Sequence, residues 1–152
     1  MVAGAIQTPE NLPKRVLDGD IDYDSDAFRL VYLTADPTSA LNADDTYSSI
    51  SATEVPNGNG YTTHGWALIT STSKVGATAT FLSTGSQVLS ASGDINGIDW
   101  AAIVDCSITG LTTEADAGDI VVGFFELNSG SDFDMSSGDV LTTTLGDIYD
   151  LT

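Results

Sequence analysis

This sequence predicts an all-β domain: an antiparallel β-sandwich or jelly-roll-like barrel with a short N-terminal helix and an N-terminal arm. Three observations predict it. Eighteen of the 22 acids are Asp, and Ser and Thr add 35 residues and Gly 15, a balance that favours strands and tight turns over helices. Short apolar stretches recur between turn signals, as in sandwiches and barrels. One stretch, Asp119 to Leu127 (DIVVGFFEL), is almost continuously apolar, as a strand buried on both faces is. At 152 residues the chain can bury a core without a disulfide or a metal, and one domain is the natural count. The division predicted is an arm over 1–12 and a single β-domain over 13–152.

Residues 1–8 carry no charged side chain and no periodicity, so they read as a segment that is disordered or extended along a neighbouring subunit. Glu10 to Leu17 is the one predicted helix, with Thr8 as cap, Pro9 at its start and Gly19 as its stop; Pro13 inside it works against it. Ala27 to Thr34 is the first strand, with Phe28, Leu30 and Tyr32 on one face and Arg29, Val31 and Leu33 on the other. A polar loop is expected over 35–49, then a short strand or helical turn over 51–55. Pro56-Asn57-Gly58-Asn59-Gly60 marks a turn. Further strands are predicted over 61–71, 75–82, 86–91, 100–108, 119–127, 140–145 and 148–151. Turns or loops over 93–99, 110–118 and 128–139 separate them. No repeat of fixed period is present.

The formal net charge is −18, from 22 acids against Lys14, Arg15, Arg29 and Lys74. Four bases give no patch to neutralise phosphates, so nucleic acid is not an expected partner, and an anionic membrane surface is disfavoured on the same grounds. Basic protein surfaces or cations are the expected partners. No apolar run reaches the roughly 20 residues of a spanning helix, and Met1 to Gln7 lacks the pattern of a signal peptide. The expectation is a protein made and used in a cytoplasm. The lone Cys106 sits in an apolar stretch and reads as a small buried hydrophobe.

Chemistry finds little purchase. His64 is the one histidine, and no G-x-S-x-G elbow accompanies it; it reads as a polar position at a strand end. Carboxylate pairs arise by chance among so many acids. The alternating run Asp18, Asp20, Asp22, Asp24, Asp26 invites a calcium reading, but an EF-hand loop fails in either frame: its sixth and twelfth positions fall on Ser25 and Val31, or on Tyr23 and Arg29. The plainer reading is a solvated turn whose Asp side chains bond backbone amides. A nucleotide-binding glycine motif is absent. We therefore expect no enzyme and assign no catalytic, cofactor-binding or metal residues.

The order of these segments resembles a family. Lys14-Arg15-Val16-Leu17-Asp18-Gly19 is followed by Ile21-Asp22-Tyr23-Asp24-Ser25-Asp26, then by Phe28 to Thr34. After the polar loop come Ser51-Ala52-Thr53-Glu54-Val55 and Gly58-Asn59-Gly60-Tyr61-Thr62. This is similar to a group of small virion structural proteins of tailed bacteriophages, with the patterns K-LLDG-ID-DSDT-KV-LLT and SA-EV-GTGYT. Ser137-Gly138-Asp139-Val140-Leu141, with Gly146 and Ile148 to Leu151, resembles that group's closing hairpin; Ser71 to Asp99 matches poorly. The resemblance implies a small β-domain present in many copies on a virion. A capsid decoration or cement protein on the outside of the shell, bridging capsomers, fits first. Its partner is then the major capsid protein, with self-association as a trimer favoured. Tyr23, Tyr32, Tyr47, Tyr61 and Trp66 are the aromatic anchor candidates, although core positions suit each of them better. A tail, baseplate or fibre component is the next reading, and a carbohydrate-binding attachment module the third.

Overall fold

A computed structural model describes residues 4–75, 78–107, 117–128, 131–145 and 147–151. They form an antiparallel, mostly β structure. The strands are β1 (Phe28–Leu33), β2 (Trp66–Ala67), β3 (Thr70–Val75), β4 (Thr78–Ser83), β5 (Ser86–Ser90), β6 (Ile95–Ile98), β7 (Trp100–Asp105), β8 (Ile120–Glu126), β9 (Phe133–Met135), β10 (Val140–Thr144) and β11 (Asp147–Leu151). Two short helices, α1 (Leu12–Asp18) and α2 (Thr38–Ala43), precede 3-10 turns at Tyr47–Ser49 and Ser51–Thr53. Four sheets result, in the orders β2-β1-β7-β8, β10-β5, β11-β4-β3 and β6-β9.

The β1-β7-β8 layer is buried on both faces. The alternation read from β1 holds: Phe28, Leu30 and Tyr32 enter the larger core, Val31 and Leu33 the smaller one. β7 and β8 split likewise. Ala101, Ile103, Val122 and Phe125 join the larger core, where Phe81, Leu89, Ile95, Met135 and Leu141 from the smaller sheets meet them. Ala102, Val104, Val121 and Phe124 face the other way, beneath Leu41 of α2, Tyr47 and Ile50. Between β7 and β8 the register shifts after Ile103, as one extra residue on one strand requires.

Helix α1 begins at Leu12, two residues later than expected. Pro13 lies in its first turn, where the missing N–H costs no bond. Gly19 closes it in the left-handed region at φ 78°, and the Asp20 amide bonds back to the Arg15 carbonyl at 3.0 Å.

Several expectations need correction. Residues 4–12 are not a free arm. The Gly4 amide bonds the Glu126 carbonyl at 2.9 Å, Gln7 and Phe124 exchange bonds of 2.7 and 2.9 Å, and Leu12 is fully buried. The segment is thus an added strand-like edge on the chain's own β8. The polar loop expected over 35–49 holds α2 and a 3-10 turn. The strand expected over 61–71 is broken: His64 and Gly65 take φ of 72° and 61°, which no strand accommodates, so β2 starts only at Trp66. The turns expected over 93–99 and 128–139 contain β6 and β9. Residues 1–3, the predicted strand end at Ile108, most of the predicted loop over 110–118 and the motif residue Gly146 lie outside the described residues, as do 76–77 within the strand expected over 75–82.

Candidate functional site

Three places gather polar chemistry: a buried carboxylate under the loop 56–65, the acidic turn after α1, and a buried carboxyl at the end of β7.

Glu54 is 8% exposed and sits where the second 3-10 turn ends. Its carboxylate accepts hydrogen bonds from the Tyr47 hydroxyl, from the Tyr61 hydroxyl at 2.5 Å and from the His64 amide at 2.6 Å. Tyr61 in turn accepts the Tyr32 amide at 3.2 Å. From the other side Arg29 donates to the His64 carbonyl at 2.7 Å and the Gly65 carbonyl at 2.5 Å. A side chain at Gly65 would place its Cβ 1.8 Å from the Leu30 carbonyl oxygen, so only glycine fits this close approach. Burial pushes both phenols, Tyr47 and Tyr61, well above their usual range, with Glu54 adding to the shift. Such phenols are poor acids at neutral pH. His64 Nδ1 lies 3.3 Å from the Tyr47 hydroxyl, so the one histidine is part of a loop anchor. The sequence singled out His64 and passed over Glu54, because nothing in its neighbours separates it from 21 other acids.

The Asp18–Asp26 run forms a turn whose carboxylates bond backbone amides, as its plainer reading expects. Asp22 Oδ1 accepts the Asp24 amide at 3.0 Å, and Asp26 Oδ2 the Asp22 amide at 2.5 Å. Hydrogen bonds from Ser25 and the Asp24 amide hold Asp22 below the usual carboxylate range. Asp24 accepts Thr72 Oγ1 of β3 at 2.9 Å. Behind the turn, Arg15 grips buried Asp45 with a two-pronged pair at 3.0 and 2.9 Å and reaches Asp20 at 3.1 Å. Lys14 pairs with Asp18 one helical turn on. Leu17, beside them, is 87% exposed.

Asp105 and Cys106 end β7, both fully buried. Burial pushes the Cys106 thiol up to about 12, consistent with the inert buried hydrophobe read from sequence. It also pushes the Asp105 carboxyl up.

The aromatic anchor candidates belong to the core. Tyr32, Tyr47 and Tyr61 are buried. Half-buried Trp66 packs edge-on to Tyr32 and Tyr61, at 5.7 and 5.1 Å between ring centres, and Tyr23 lies 4.4 Å from the Phe81 ring. A cleft of about 210 Å³ lined by Tyr23 and Phe81, and another of about 220 Å³ lined by Asn57, Asn59 and Asp94, are both smaller than a typical small-molecule site. Among the described residues no helix is long and apolar enough to cross a membrane. Comparison with protein-family models, with curated proteins and with solved structures finds no match to this chain.

Proposed function

We propose that the chain is a non-enzymatic virion protein of a tailed bacteriophage, a decoration or cement protein that docks on the outside of the major capsid shell. The observation that carries the docking is how charge is distributed. Lys14, Arg15 and Arg29 are each engaged by groups of their own chain. The acids at Asp22, Asp24, Asp36, Asp44, Asp94, Asp132, Asp134 and Asp139 stand exposed. A surface so one-sided steers toward a basic partner and away from its own kind. Leu17, exposed beside the acidic turn, supplies the apolar anchor that the aromatics do not. The virion assignment rests on the resemblance of the Lys14–Asp26, Phe28–Thr34 and Ser51–Thr62 segments to tailed-phage virion proteins.

In this reading the β1-β7-β8 layer and the smaller sheets form a sandwich around the larger core, and copies of the chain associate as trimers that bridge capsomers. The carbohydrate-attachment reading calls for rings on the surface, whereas Tyr32, Tyr47 and Tyr61 are buried. Particles assembled with a labelled copy of the chain test the proposal. Imaging is expected to find many copies spread over the shell. A few copies at the tail would move the protein there, and absence from particles would contradict the proposal outright.

A further inference from the structure

An open sheet edge is a template for another chain, and proteins blunt such edges by covering, charging or shortening them. Most edges here are blunted. Residues 4–7 cover β8, with the Gly4 and Gln7 amides bonded to the Glu126 and Phe124 carbonyls at 2.9 and 2.7 Å. β2 has two residues, β6 four and β9 three. β3 carries Lys74, and β11 carries Asp147 and Asp150. β5 has β2 beside it, where Gln87 donates to the Ala67 carbonyl at 3.0 Å. Strand β10 differs. It reads Val-Leu-Thr-Thr-Thr, with no charge and no proline, and among the described residues β5 is the one strand that pairs with it.

The phase of the β5-β10 ladder shows what that edge offers. The Ala91 amide bonds the Asp139 carbonyl at 2.9 Å, in step with Val140 opposite Ser90. Antiparallel neighbours exchange bonds at every second pair. Leu141 and Thr143 therefore turn their main-chain groups to Leu89 and Gln87, and Val140, Thr142 and Thr144 turn theirs outward. The side chains of those three are exposed, as are Ser86, Val88 and Ser90 across the ladder. None of these residues is charged, in a chain of net charge −18. Two such chains repel wherever their acids meet, and here they can approach without that cost.

We infer that β10 pairs antiparallel with β10 of a second copy, across a two-fold axis at Thr142. The two Thr142 exchange amide and carbonyl, Val140 does the same with Thr144 of the second copy, and the β5-β10 ribbons of both copies become one continuous sheet. A two-fold contact must be self-complementary, and an uncharged run of β-branched side chains is. Antiparallel pairing also sets the two Asp139 at opposite ends of the contact. They then stand about 20 Å apart along the strands, well beyond the ~8 Å over which charge acts at physiological salt. The contact is separate from the proposed trimer, which a two-fold axis cannot close.

Sedimentation of the purified chain over a range of concentrations and salt tests this. Dimers are expected, and more of them as salt screens the acids, the reverse of the salt effect on docking to a basic shell. Thr142→Pro removes an amide that its own sheet does not use. It should weaken dimerisation by about tenfold or more, because the bonds exchanged at the axis are lost. Val140→Lys should weaken it too, by charging the edge, although it lowers the net negative charge. Leu17→Lys, which lowers that charge equally but lies on α1, should dimerise at least as well as the wild type. Circular dichroism checks that each variant is folded. A wild type that stays monomeric or forms only trimers would overturn the inference, as would dimers that persist unchanged in folded Thr142→Pro or Val140→Lys. These measurements use the isolated chain, so they stand or fall independently of any role on a virion.

Discussion

Glu54 shows how one side chain sets a loop. Its three hydrogen bonds fix Tyr47, Tyr61 and the His64 amide, and with Arg29 they hold two residues at positive φ. Glu54→Ala leaves the Tyr61 hydroxyl and the His64 amide short of an acceptor and the Tyr47 hydroxyl with His64 Nδ1 alone. We expect a loss of about 3 kcal/mol, and about 1–2 kcal/mol for Glu54→Gln, which keeps one acceptor; urea unfolding measures both. Asp105 predicts a pH effect of definite sign. Burial first, and Asp26 second, raise its carboxyl in the folded chain to about 7, against about 4 when unfolded. The stability this group lends is therefore present below pH 4 and is lost as pH rises through 7. Asp105→Asn should flatten that slope and be the more stable protein at neutral pH; an unchanged slope would contradict the assignment. Neither residue was legible as special in sequence. Burial of a particular acid depends on which distant strands cover it.

At the scale of elements, legibility followed periodicity. β1, β7 and β8 stood out because six or seven successive apolar or alternating residues leave few other readings. α2 did not, since Leu41 is its one buried residue; its start is marked instead by Asp36, which accepts the Thr38 amide at 2.8 Å and the Thr38 hydroxyl at 2.6 Å. β6 and β9 are four and three residues long, below the length at which a period of two can be seen. The N-terminal segment departs from its sequence reading because its pairing to β8 is main-chain bonding, which side chains hardly report. Ile6 packs against the core, and a Cβ added at Gly123 would come within 3.0 Å of it. Deleting residues 1–12 should therefore cost stability, by about 3 kcal/mol or more from Leu12 and Ile6 alone. Denaturant unfolding that shows no loss would restore the free-arm reading.

For the whole molecule, composition was the best guide. A net charge of −18, antiparallel sheets and aromatics drawn into the core describe a body whose surface is acidic; among the described residues Leu17, beside the acidic turn, is the most exposed large apolar side chain, ahead of Ile69, Val140 and Val88. The proposed docking has two separable parts. Charge sets the rate of encounter, and the anchor sets how long contact lasts. Leu17→Ala should leave folding intact and shorten the lifetime of the bound state without slowing encounter. The most direct test of the account is the association rate of the purified chain with phage shells that lack it, followed as salt is raised. The account predicts a steep fall in that rate as screening shortens the reach of the acidic surface. A rate indifferent to salt, or no binding to shells at any salt, would contradict it.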